Sequence, residues 1–107
     1  MPDLVVGPLE ELPPGAMKLL EVDASLTVGV FNCGGALHAL EDRCSHDDGP
    51  LCEGEWDEEA CVVVCPRHGS RFDLESGIPM SLPAFQAVPI FPVSERDDGV
   101  VVVEVAG

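Results

Sequence analysis

The sequence predicts an all-β chain of antiparallel sheets, and three observations carry that expectation. Apolar runs are short and recur along the whole chain, 11 Gly and 10 Pro supply frequent turns, and no window of eleven or more residues shows convincing 3.6-residue periodicity. With 46% hydrophobic residues the chain is too apolar to be disordered. Its 107 residues suit one domain spanning 1–107, which buries roughly two thirds of the unfolded surface.

The expected strands follow in order: 4–6, 17–22, 26–33, 37–40, 61–64, 88–93 and 100–105. Gly34-Gly35 joins two of them as a two-residue hairpin, and Asp97-Asp98-Gly99 closes another, because both supply the positive φ such turns require. Prolines at 79, 83, 89 and 92 interrupt the region after residue 77, so at most one short helical turn is expected in the chain. Between the strand ending near Leu40 and the one ending at Val64 lies an insertion rich in Asp, Glu, Gly and Cys. A second loop covers Cys65 to Ser70.

Charge narrows the function classes. Twenty acidic against five basic residues give a formal charge of −15, which repels nucleic acid and anionic membrane surfaces and attracts basic protein patches. Acidity of this kind also serves solubility alone. No stretch approaches the roughly 18 apolar residues of a membrane span and no signal-peptide pattern precedes Lys18, so cytoplasmic residence is expected. Five cysteines cannot all pair within one chain, and a reducing compartment favours ligand chemistry over a disulfide framework.

The residues that carry chemistry form a C-x-H and C-x-x-H pair: Cys44-Ser45-His46, then 18 residues, then Cys65-Pro66-Arg67-His68. Two thiolates and two imidazoles could serve a closed tetrahedral zinc site, which is the chemical rival. Each loop, however, contributes one Cys and one His, unlike a Cys pair followed by a His pair. Mixed pairs suit a two-iron cluster in which one iron keeps two thiolates and the other takes two imidazoles.

Together, Cys44-Ser45-His46, Leu51, Gly54, Cys65-Pro66-Arg67-His68-Gly69-Ser70, Phe72-Asp73-Leu74 and Gly77 resemble the signature of Rieske-type [2Fe-2S] ferredoxins, over roughly residues 3 to 105. The resemblance implies the Rieske fold of antiparallel sheets with a cluster-binding subdomain at about 42–74. It further implies one [2Fe-2S] cluster, with Cys44 and Cys65 as thiolate ligands of the buried iron and His46 and His68 as ligands of the outer one.

High-potential Rieske proteins carry an extra Cys in each ligand loop, and those positions hold Gly49 and Arg67 here. Ser70 is retained near the cluster, but Phe72 stands at the position of a hydrogen-bonding Tyr. The resemblance therefore implies a potential toward the low end of the Rieske range, near about −150 mV. Such a carrier takes electrons from an NAD(P)H-dependent flavoprotein reductase and passes them to a terminal oxygenase of the ring-hydroxylating dioxygenase type. The alternative is a Rieske-like small subunit of a reductase complex such as assimilatory nitrite reductase. With only 39 residues after His68, there is no room for an oxygenase catalytic domain. A monomeric electron carrier, not an enzyme by itself, is expected.

Several residues receive plainer readings. Cys33 and Cys61 lie in apolar strand runs and are expected to be buried small hydrophobes. Cys52 reads as loop packing, with an exposed thiol near the cluster as the alternative. His38 is a strand histidine outside the ligand set. Arg43, Arg67 and Arg71 flank the ligand loops as salt-bridging or charge-balancing groups, and Glu53, Glu55, Asp57, Glu58 and Glu59 form a solvated tip or a docking surface.

Overall fold

The computed structural model describes residues 3–24, 26–43, 51–52, 55–66, 69–80 and 87–104. These form ten strands: β1 Asp3–Pro8, β2 Met17–Asp23, β3 Leu26–Cys33, β4 Ala36–Glu41, β5 Trp56–Asp57, β6 Val62–Val64, β7 Arg71–Asp73, β8 Ile90–Phe91, β9 Val93–Glu95 and β10 Val100–Glu104. The one helical element among the described residues is a 3-10 turn at Leu9–Glu11. The all-β expectation therefore holds.

Three antiparallel sheets result, in the orders β1-β10-β9, β2-β3-β4-β8 and β5-β6-β7. The second is central because both of its faces are covered. In β3, residues 28 to 32 are all buried, as a strand packed on both sides requires. Alternation sends Val28 and Val30 toward β1 and β10, where Val6, Leu12, Ala39, Val101 and Val103 complete one core cluster. Phe31 points the other way, onto the β5-β6-β7 sheet, into a second cluster with Leu40, Leu51, Cys52, Val63, Cys65, Phe72, Leu74 and Val88. Trp56 meets Phe31 edge-on, with ring centroids 5.0 Å apart, which anchors the two-residue β5 to the central sheet.

Both glycine turns close the hairpins expected of them, β3–β4 at Gly34-Gly35 and β9–β10 at Asp97-Asp98-Gly99. Asn32, buried beside the first, donates to the Leu12 carbonyl (2.8 Å) and accepts from the Gly35 N–H (2.7 Å). Two expected elements are corrected. The run 88–93 is not one strand: Pro92 has no N–H for a ladder, and the chain changes sheets there, β8 pairing with β4 and β9 with β10. Cys61 does not begin a strand either; it closes the turn before β6 in the left-handed region, at φ 55°. Strands β5 and β7 are too short to register as apolar runs.

Close approach explains two glycines that the turns do not. A Cβ at Gly29 would collide with the Cys52 sulfur, so β3 is bare where Cys52 packs onto it. A Cβ at Gly77 would overlap the Val88 carbonyl oxygen, and Val88 N–H in turn donates to the Gly77 carbonyl at 2.8 Å. That contact ties the turn after β7 to the approach of β8.

Candidate metal centre

Both predicted ligand loops leave from the same core cluster. The second is the β6–β7 connection, where the Cys65 N–H donates to the Ser70 carbonyl (2.8 Å) and the Gly69 N–H to the Cys65 carbonyl (3.0 Å). These bonds hold Cys65 and Gly69-Ser70 against each other, with Cys65 and Ser70 both buried. Cys65 is an unbridged cysteine there, at 1% exposure. The first loop begins after β4 at Asp42 and Arg43 and returns at Leu51 and Cys52, both buried. Its base is closed by Asp42: one carboxylate oxygen accepts the Leu51 N–H (2.8 Å) and the Cys52 N–H (2.6 Å). Charge-assisted bonds of this kind are the stronger class.

Of the four predicted ligands, Cys65 is described, while Cys44, His46 and His68 lie outside the described residues, as do Gly49, Glu53, Gly54 and Arg67. Asp42 is a site-shaping residue that the motif did not reveal, since an Asp nine and ten residues from its partners has no local signal. Cys52 packs in the loop, as read from sequence. Burial and the neighbouring Asp42 carboxylate push its thiol well above the ordinary value of 9.0, leaving it protonated.

Cys33 and Cys61 correct the expectation of separate small hydrophobes. They form a disulfide, with Cα atoms 5.6 Å apart, between the end of β3 and the turn before β6. Sheet stacking brings these residues together across 28 positions, which no spacing rule anticipates. His38 lies beside them: the two sulfurs and an imidazole nitrogen are all within 4.8 Å of one another. This group does not fit a Rieske cluster, because its sulfurs are bonded to each other and it holds one imidazole where two are required. Of the four predicted loop ligands, the described one, Cys65, offers a buried thiol that is not bonded to another sulfur.

The acidic tip is partly structural. Asp57 accepts the Glu59 and Ala60 N–H groups (2.9 and 3.1 Å), and Glu58 accepts the Gly34 N–H at 3.2 Å, reaching across to the β3–β4 hairpin. Arg43 pairs with Glu41 at 2.7 Å, the ordinary salt bridging expected of it. Among the described residues no helix is long and apolar enough to cross a membrane.

Comparison with known proteins gives one answer at three levels. Residues 3–92 match the model of the Rieske [2Fe-2S] domain. The ferredoxin subunit of 3-phenylpropionate/cinnamic acid dioxygenase from Escherichia coli (strain K12) is 36% identical over 86 residues, covering 80% of this chain and 78% of that protein. The ferredoxin of carbazole 1,9a-dioxygenase from Nocardioides aromaticivorans IC177 superposes with a TM-score of 0.86 at 29% identity, covering 96% of this chain and 97% of that one. A chain from the complex of reduced oxygenase and oxidized ferredoxin in carbazole 1,9a-dioxygenase superposes equally well, at 30% identity over 94% of this chain and 91% of that one. With one [2Fe-2S] cluster as its resident cofactor, the chain belongs to the Rieske [2Fe-2S] domain family.

Proposed function

We propose that this chain is the ferredoxin component of a ring-hydroxylating dioxygenase system, taking single electrons from an NAD(P)H-dependent flavoprotein reductase and delivering them to a terminal oxygenase. The observation that carries the reading is its likeness, over most of both chains, to the ferredoxin subunit of a dioxygenase. The nitrite reductase alternative has no counterpart among the relatives described above. The carrier is read as a cytoplasmic monomer without catalysis of its own.

Cys44 and Cys65 are assigned as the thiolate ligands and His46 and His68 as the imidazole ligands, within a cluster-binding subdomain of about residues 42–74. When bound, the cluster supplies one-electron chemistry. The chain's own residues shape its surroundings: Asp42 closes the first loop, the bond from the Cys65 N–H to the Ser70 carbonyl closes the second, and Phe72 offers no hydroxyl toward the site. Fewer donors toward the cluster sulfurs mean less stabilisation of the reduced, more negative state, hence a potential near the low end of the Rieske range, about −150 mV.

The test is electron paramagnetic resonance of the dithionite-reduced protein, followed by single-turnover oxidation by a ring-hydroxylating oxygenase. Mixed Cys and His ligation gives a lower average g-value than four thiolates, and Cys65→Ser or His68→Gln abolishes that signal. A zinc-containing, signal-free protein refutes the ligand assignment. A Rieske signal with no electron delivery to any such oxygenase refutes the partner.

A further inference from the structure

The Cys33, His38 and Cys61 group has a ligand chemistry that electron transfer through the two loops does not use. His38 pairs with Phe31 across β3 and β4, and Cys33 lies two residues beyond Phe31. Strand alternation therefore sets His38 and Cys33 on one face of the central sheet, the face that meets the β5-β6-β7 sheet. Cys61 reaches the same place from the facing turn. It is the one non-glycine residue with positive φ among those described, and its carbonyl is held by the Leu74 N–H at 2.9 Å. Backbone held in this region persists where the surroundings over-determine it, and such positions cluster at functional sites.

All three side chains are half-buried, and His38 also lines an open groove with Leu74, Glu75 and Ile90 that gives access from solvent. A tetrahedral zinc ion, with Zn–S about 2.3 Å and Zn–N about 2.0 Å, sets its ligand atoms roughly 3.5–3.8 Å apart. Three donors already within 4.8 Å of one another need little rearrangement to reach that spacing once the sulfurs are no longer bonded.

We propose that Cys33, His38 and Cys61 form a second, thiol-gated metal site that takes one Zn²⁺ when the disulfide is reduced. A dithiol reductant donates two electrons and two protons; the S–S bond breaks, two thiols form, and the reductant becomes a disulfide. Binding of Zn²⁺ then releases the two thiol protons, leaving two thiolates and the His38 imidazole on the ion with water in the fourth position. The oxidised pair has no thiolate to offer, so disulfide and metal exclude each other. Either one links the β3–β4 hairpin to the turn before β6, so the link survives a reducing compartment. The site shares no residue with the loop ligands, so its failure leaves the electron-transfer reading untouched.

The experiment uses the cluster-loaded full chain, reduced with tris(carboxyethyl)phosphine, exposed to Zn²⁺ and weighed by native mass spectrometry. Reduction is expected to create one zinc equivalent per chain with iron content unchanged, and zinc is expected to protect Cys33 and Cys61 from iodoacetamide. His38→Gln should weaken zinc binding at least about 10-fold with the cluster spectrum intact, and Cys33→Ser should abolish it. Zinc uptake that does not depend on prior reduction, or that persists in Cys33→Ser, is carboxylate binding and overturns the proposal. So does zinc uptake matched by loss of iron, or no uptake at all by the reduced protein.

Discussion

The two faces of the central sheet are covered in different ways. Toward β1 and β10 the core is aliphatic, and every member of its buried cluster except Leu12 belongs to a strand: Val6, Val28, Val30, Ala39, Val101 and Val103. Toward β5-β6-β7 the cluster is aromatic and sulfur-bearing, and Leu51, Cys52, Cys65, Leu74 and Val88 come from loops. Ladders hold the first core in register over many residues, so no single bond decides it. The second depends on a few point contacts: the Cys33–Cys61 bond, the Asp42 carboxylate and the bare backbone at Gly29 and Gly77. The side from which the predicted ligand loops leave is thus the side where single substitutions are expected to do most damage.

Matched core truncations give the largest effect. Phe72→Ala should lose about 3–5 kcal/mol and lower cluster content, whereas Val103→Ala should lose about 1.5–3 kcal/mol with full cluster content. Urea midpoints read beside the visible absorption separate the two. Equal cluster loss in both variants would erase the contrast.

Next in size is the disulfide. Opening a loop of 28 residues by the double change Cys33→Ser and Cys61→Ser should cost roughly 3–4 kcal/mol on the chain-entropy model, measured as a lower denaturation midpoint. An unchanged midpoint would mean that the bond constrains nothing that packing does not already hold.

Asp42→Ala leaves the Leu51 and Cys52 N–H groups without their acceptor. About 1–3 kcal/mol should be lost, together with faster amide exchange at residues 51 and 52. Exchange as slow as in the unaltered protein would show that the carboxylate does not close the loop.

The smallest effect appears only in alkali. Because the folded state holds the Cys52 thiol protonated well above 9.0, the unfolded chain binds fewer protons once pH exceeds that value. Stability contributed by this thiol is complete below pH 9.0 and is lost at up to about 1.4 kcal/mol per pH unit above it. Denaturation between pH 8 and 10.5 should therefore show a steeper decline in the unaltered protein than in Cys52→Ala; parallel curves would contradict the burial assigned to it.

Legibility followed the same division. Strands β1 to β4 and β10 were readable because apolar runs and two-residue turns are local signals. The short β5 and β7 were not, since their pairing rests on Val62–Val64 lying between them. At the site, Cys65 could be named from its motif, and the described residues around it bury its side chain. Asp42, Gly29 and Gly77 carried no comparable mark, because each acts on a residue far along the chain.

By itself the sequence determined the all-β class, the hairpins at Gly34-Gly35 and Asp97-Asp98-Gly99, and the C-x-H and C-x-x-H runs that resemble the family's signature, each a pattern confined to a few neighbouring residues even though 18 residues separate the two runs. Tertiary structure alone decided which sulfurs would meet. Cys33, His38 and Cys61 come together because the central sheet stacks on β5-β6-β7, and a face-to-face contact of that kind leaves no trace in spacing along the chain.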